Sequence, residues 1–187
     1  MSTSVIAIIR TATAHVRPAA LPLLFAALLW ASAAAGAVPI PGTPVPITLQ
    51  TLVVMMAGLM LTPRQAAACI VLYLTAGAAG LPVFAGGMST AALISPTGGF
   101  LLGFLPGVVV TALLKGASQG RLVALRHFAA CLIGCVVVVY AFGITMQSVL
   151  TGVPVAAIAI ASTGFIIGDL IKAAVATLAV AGISRLR

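Results

Sequence analysis

The sequence predicts an all-α membrane protein, a six-transmembrane-helix bundle with irregular extracellular loops and both termini cytoplasmic. Three observations predict it. Of the 187 residues 63% are hydrophobic and only 5% are charged, against about 25% charged residues in a soluble domain, and the mean hydropathy is +1.32. Apolar runs of roughly membrane-crossing length recur at 19–38, 47–62, 66–84, 99–114, 123–146 and 155–183. The basic residues fall on alternate connections between these runs, as cytoplasmic segments require.

The first run follows Arg10 and Arg17 and passes from "PAALPLLFAALLW" into "ASAAAGA". A basic segment, an apolar run and small residues is also the layout of a secretory signal with its cleavage site. Here the basic segment is long and the apolar run continues almost unbroken to Val38, so the expectation is a retained first span. Within it Ala27, Ala31 and Ala35 recur every four residues and form a stripe on one helix face. Small residues at that spacing let a second helix approach closely in lipid. Spacing alone does not say whether that helix belongs to this chain or to a partner.

The second and fourth runs are short and lie beside Pro/Gly-rich stretches. Residues 37–51, "AVPIPGTPVPITLQT", hold four prolines and cannot be helical throughout, because proline lacks the amide hydrogen and fixes its torsion. Residues 80–100 hold five glycines and two prolines. Non-helical backbone at membrane depth survives only where protein buries it or where it lines a cavity, so these two segments are expected to form a lid or a pocket rim, the alternative being two loose loops. Cys69, Cys131 and Cys135 fall within spans and read as apolar filling. His15 and His127 fall near cytoplasmic ends and are expected at the membrane interface. The chain reads as a single membrane domain over 1–187, without linkers, repeats or a soluble appendage.

Charge orients the bundle. Arg10 and Arg17 precede the first span, Arg64 follows the second, Lys115, Arg121 and Arg126 follow the fourth, and Arg185 and Arg187 follow the sixth. The connections at 39–46, 85–98 and 147–154 contain no Lys or Arg. Both termini are therefore expected in the cytoplasm of a multi-pass protein of the cytoplasmic membrane, with the uncharged loops outside.

Several functions are excluded or disfavoured. No GxxxxGK[ST] stretch is present, so ATP is not bound in the usual way. The basic residues are isolated between apolar runs rather than clustered, which is not a nucleic-acid surface. One Asp, no Glu and two His leave little from which to build a catalytic or metal-binding set, so neither an enzyme nor a cofactor or metal is expected.

The ninth basic residue, Lys172, stands three positions after Asp169, the single acidic residue of the chain. On a helix that separation puts both on one face. An ionisable group at the middle of a membrane helix costs roughly 2.5–3.5 kcal/mol on insertion scales, so such groups face the bundle interior, pair, and mark substrate or ion pathways. Lys172 lies about 15 Å of helical rise from Gly182, too deep to reach the interface comfortably. The pair reads as a structural ion pair, as a proton or sodium relay in an ion-coupled carrier of a small solute, or as a solute site. The other polar residues within spans are few (Gln50, Thr48, Thr75, Tyr73, Tyr140, Thr163), which suits a mostly apolar ligand with a few polar points better than a relay.

"PVPITLQT" (44–51), "GLPVFAGG" (80–87), "SPTGGFLLGF" (95–104) and "GDLIKA" (168–173), in this order, resemble the signature segments of the BioY family, the biotin-specific substrate-binding subunits (S components) of energy-coupling factor (ECF) transporters. The resemblance implies six membrane helices, a biotin site near the outer side closed by loops, and docking through small residues of the first helix. The docking partner would be a membrane coupling subunit driven by two ATP-binding subunits. The resemblance leaves open whether uptake depends on that module. It makes Asp169 an acceptor for a ureido N–H, with Lys172 holding Asp169 or donating to the ureido oxygen, and Gln50 a further polar contact. Thr97, Gly98 and Gly99 would come close to the ligand, Phe84, Phe100 and Tyr140 would pack on its rings, and Ala27, Ala31 and Ala35 would form the partner interface.

Overall fold

The computed structural model describes residues 19–116 and 122–185, with backbone alone beyond Gly182. Arg10, His15, Arg17, Arg121 and Arg187, used in the charge argument or placed at the interface above, lie outside the described residues.

Helix α1 (Ala19–Ala34) is shorter than the predicted run. Beyond it Gly36, at φ +123°, turns the chain into β1 (Ala37–Val38), which pairs antiparallel with β2 (Ile47–Thr48) in the register Ala37↔Thr48, Val38↔Ile47. The proline-rich segment is thus a small hairpin, an exception to the all-α expectation. It takes the start of the second predicted span away from α2, which covers Gln50–Met60. α3 (Pro63–Ala78) begins with proline in its first turn. Thr62 closes a capping box, accepting from the Gln65 backbone N–H while the Gln65 side chain accepts from the Thr62 N–H, which satisfies two donors of the first turn. It stops at Ala78 and leaves 79–84, predicted as span, as loop.

A one-turn helix α4 (Thr90–Leu93) precedes α5 (Gly98–Leu114). α6 runs unbroken from Val123 to Thr151 and α7 from Val155 to Arg185. α6 ends at Gly152 in the left-handed conformation, φ +71°, a common helix stop. Residues Leu132–Val138 in its middle are π-helical. Among the described residues α6 and α7 are long and apolar enough to cross a membrane, while α1, α2 and α5 are shorter apolar helices.

α5 is the central helix and packs against α2, α3 and α6, while α7 packs on α2 and α6. The α5–α6 contact is made by glycines. A Cβ on Gly99 would stand 2.6 Å from the Phe142 carbonyl oxygen, one on Gly103 3.1 Å from Val139, and one on Gly107 2.7 Å from the Gly134 carbonyl oxygen. A GxxxGxxxG groove of this kind brings two backbones together where lipid supplies no hydrophobic drive between helices.

One end of the bundle is tied by cations. Lys115 donates from Nζ to the Leu61 carbonyl, and Arg126 Nε donates to the Lys115 carbonyl at 2.7 Å. Burial lowers the Lys115 pKa from its ordinary value. His127, near the start of α6, is buried among the helices at 1% exposure, and all three cysteines are buried and free. On α1 the buried face is Phe25, Leu29, Ser32 and Ala33, and Ala27 and Ala31 point outward; Ala35, expected to continue their stripe, is exposed but lies in the turn beyond the helix end.

Candidate ligand-binding site

At the opposite end from Lys115, the β hairpin, α2, α5, α6 and α7 enclose a cleft of about 550 Å³, its open mouth included. The hairpin supplies Val45, Pro46, Ile47 and Thr48 to its wall. The helices supply Phe100, Leu101, Phe104, Val139, Tyr140 and Phe165, and Gln50, Thr51, Ala85, Thr97, Asp169 and Lys172 complete it.

The floor of the cleft is a closed polar ring. Lys172 Nζ lies 2.9 Å from Asp169 Oδ1 and 2.9 Å from Thr51 Oγ1. The Thr51 hydroxyl donates to Asp169 Oδ1 at 2.9 Å and the Tyr140 hydroxyl to Oδ2 at 2.7 Å. Three elements thus converge on one carboxylate whose side chain is only 5% exposed; that of Lys172 is 11% exposed. The i,i+3 spacing on α7 puts both charges on the inward face, and Thr51 reaches them because α2 packs on α7. A carboxylate has about four acceptor positions and an ammonium three donors. Among the described residues three of the former and two of the latter are used within the ring, which leaves one acceptor position and one N–H for a ligand.

Above the ring Phe100, Tyr140 and Phe165 form a triangle of edge-to-face rings, with centroids 6.1–6.2 Å apart. Gly143 on α6 makes room for it, since a Cβ there would stand 2.4 Å from the Phe100 ring. Gly143→Ala is therefore expected to displace Phe100 and weaken binding of the pocket's ligand about tenfold, at the level of one well-placed aromatic contact; titration of the variant against the parent checks it.

A second hydrogen-bonded chain fixes the rim. Thr48 donates to Gln50 Oε1 at 3.0 Å, Gln50 Nε2 donates to the Tyr73 hydroxyl at 2.6 Å, and Tyr73 donates to the Val83 carbonyl at 2.8 Å. It links the hairpin, α2, α3 and the 79–84 loop. The hairpin also rests on α7 at two glycines: Cβ atoms on Gly164 and Gly168 would lie 3.2 Å from Ile40 and 4.0 Å from Ile47.

Of the residues singled out in the sequence, Asp169, Lys172, Gln50, Thr97, Phe100 and Tyr140 line this one cleft. Phe84, Gly98 and Gly99 do not. Phe84 is buried edge-to-face against Tyr73, centroids 5.2 Å apart, over Gly77, where a Cβ would stand 2.1 Å from its ring. It anchors the loop that presents Ala85. Gly98 abuts the Leu93 carbonyl oxygen, 2.1 Å from its would-be Cβ, and Gly99 begins the groove that receives α6. Both glycines serve close backbone approach, but to protein. Thr51, Phe104 and Phe165 were not singled out. Thr51 stands one residue after Gln50, and its place at the hub depends on the α2–α7 pairing, which spacing does not reveal.

Fold and site together define a helical membrane protein with a ligand pocket centred on a buried ion pair. The BioY family profile matches residues 5–187, and the chain belongs to the BioY family. It is 40% identical over 168 residues to the biotin transporter BioY of Rhizobium etli, covering 87% of this chain and 90% of that protein. It is 33% identical over 142 residues to the biotin transporter BioY of Thermotoga maritima, covering 74% and 80%. Its fold is similar to a crystal structure of the S-component for biotin from an ECF-type ABC transporter, with TM-score 0.86 and 25% identity over 92% of this chain and 93% of that one.

Proposed function

We propose that this chain binds biotin as the substrate-specific subunit of an ECF-type transporter and serves biotin uptake across the cytoplasmic membrane. The observation that carries the reading is the polar ring under the aromatic triangle, in a chain whose relatives are named biotin transporters. Biotin presents a fused apolar ring system, a ureido group with two N–H donors and a carbonyl, and a carboxylated tail. The free acceptor position of Asp169 suits a ureido N–H, the remaining N–H of Lys172 suits an oxygen of the ligand, and the aromatic triangle suits the rings. Charge-assisted hydrogen bonds of this kind are roughly twice as strong as neutral ones.

In this reading the protein crosses the membrane six times with both termini in the cytoplasm, as a single unit. The Lys115 end faces the cytoplasm, following the basic residues, and the cleft faces outward. Calorimetric titration of biotin into the purified protein in detergent tests the function. Tight one-to-one binding is expected; a folded sample that gives no heat and takes up no labelled biotin would overturn it.

The outward-facing Ala27 and Ala31 on α1, with Ala35 in the turn just beyond it, support docking onto a membrane coupling subunit with its two ATP-binding subunits. Ala31→Trp is expected to reduce co-purification with a co-expressed ECF module at least about tenfold, since bulk at a small-residue contact separates the helices, and to leave biotin affinity within twofold of the parent. Unchanged co-purification would move the docking face elsewhere.

A further inference from the structure

α6 carries a seven-residue π-helical segment, Leu132–Val138, in an otherwise regular helix of 29 residues. Such wide turns are rare and gather at functional sites. Each residue they insert rotates everything beyond by about 100° relative to an uninterrupted helix. The two residues that follow the segment, Val139 and Tyr140, both line the cleft, and Tyr140 reaches Asp169 Oδ2. A regular helix through 132–138 would aim Tyr140 elsewhere.

Thr111 of α5 sits where the segment begins and is wholly buried. Its hydroxyl lies 2.9 Å from the Gly107 carbonyl oxygen, 3.3 Å from that of Ala130 and 3.4 Å from Cys135 Sγ. Ala130 belongs to the last α-helical turn before the segment and Cys135 to the segment itself. Gly134 leaves the space: a Cβ there would stand 2.1 Å from Thr111 Oγ1. The hydroxyl is thus wedged between the two helical forms.

The geometry points to the π segment as the device that aims Tyr140 at Asp169, with Thr111 as the positioning residue that holds it. Thr111 lines no part of the cleft and acts through α6. This role takes its affinity readout from the biotin reading and its other readout from the protein alone.

The test uses Thr111→Val, which keeps the volume and removes the hydroxyl, with Thr111→Ser as rescue and Thr111→Ala where valine is not accommodated. The sequence holds two tyrosines, Tyr73 and Tyr140, so the ¹⁹F spectrum of protein labelled with 3-fluorotyrosine has two resonances, assigned with Tyr140→Phe. The Tyr140 resonance in Thr111→Val is expected to move toward its position in Asp169→Asn, with Tyr73 unmoved and Thr111→Ser near the parent. Biotin affinity is expected to fall about fivefold in Thr111→Val but less than about twofold when that change is added to Tyr140→Phe, because residues acting through one contact are not additive. An unmoved Tyr140 resonance, or additive losses of affinity, would overturn the positioning role. A parent that binds no biotin but whose Tyr140 resonance responds to Thr111→Val would refute the proposed ligand and leave the positioning role standing.

Discussion

Asp169→Asn is expected to weaken biotin binding at least about a hundredfold while the protein stays folded. Truncating one partner of a buried, hydrogen-bonded charge pair costs about 2–5 kcal/mol or more, and a factor of ten is about 1.4 kcal/mol. Asparagine keeps the shape but offers one oxygen and one NH₂ where the carboxylate offered two oxygens. Thr51, Tyr140 and Lys172 all donate to those oxygens, so at least one donor would face the NH₂ and the ligand would lose the charged acceptor. Lys172 keeps its bond to Thr51 and lies against the open cleft, which moderates the cost to the fold. Calorimetry with a monodisperse elution peak as the control checks both parts. Native affinity in the variant would remove Asp169 from the site.

The same residues show what the sequence could and could not disclose. That Asp169 and Lys172 face inward follows from the cost of charge in lipid, and the i,i+3 spacing makes them a pair; both are local arguments, and the structure agrees with each. The loops 37–51 and 80–100 were legible as irregular because proline and glycine act locally. Their fold was not: the hairpin depends on β1 finding β2 and on Ile40 and Ile47 meeting Gly164 and Gly168 of α7, and the contacts with α7 join residues more than a hundred positions apart in the chain. The GxxxGxxxG spacing of Gly99, Gly103 and Gly107 was present in the sequence, yet glycine admits both a ligand and a helix, and nothing local decides between them. Here the helix is the neighbour. The π segment carries no strong local signature either, because it is sustained by Thr111 on another helix. Span ends at Val38 and 79–84 were overdrawn for a related reason: apolar residues of a hairpin or a loop have the same hydropathy as residues that cross lipid.

Whether the ion pair is there for the ligand or for the fold is separated by removing Lys172 in two ways. Lys172→Met leaves Asp169 with only the hydroxyls of Thr51 and Tyr140. Removing one partner of a buried pair typically costs about 3–5 kcal/mol, because a charge is left uncompensated, whereas replacing both is often neutral or stabilising. Lys172→Met is therefore expected to lower the apparent melting temperature in detergent markedly. Asp169→Asn/Lys172→Met, with no charge left in the bundle centre, is expected to recover most of that loss. Biotin binding should be absent in the double variant despite the recovery, since both the acceptor and the donor offered to the ligand are gone. A double variant that is stable and still binds biotin would make the pair structural. One as unstable as Lys172→Met would mean that the packing of the lysine stem, rather than its charge, supports α7 against α2. Stability restored without binding is the one result that assigns the carboxylate and the ammonium to the ligand, and the closed ring they form with Thr51 and Tyr140 is then the resting state of a site in which one acceptor position and one N–H are held in reserve.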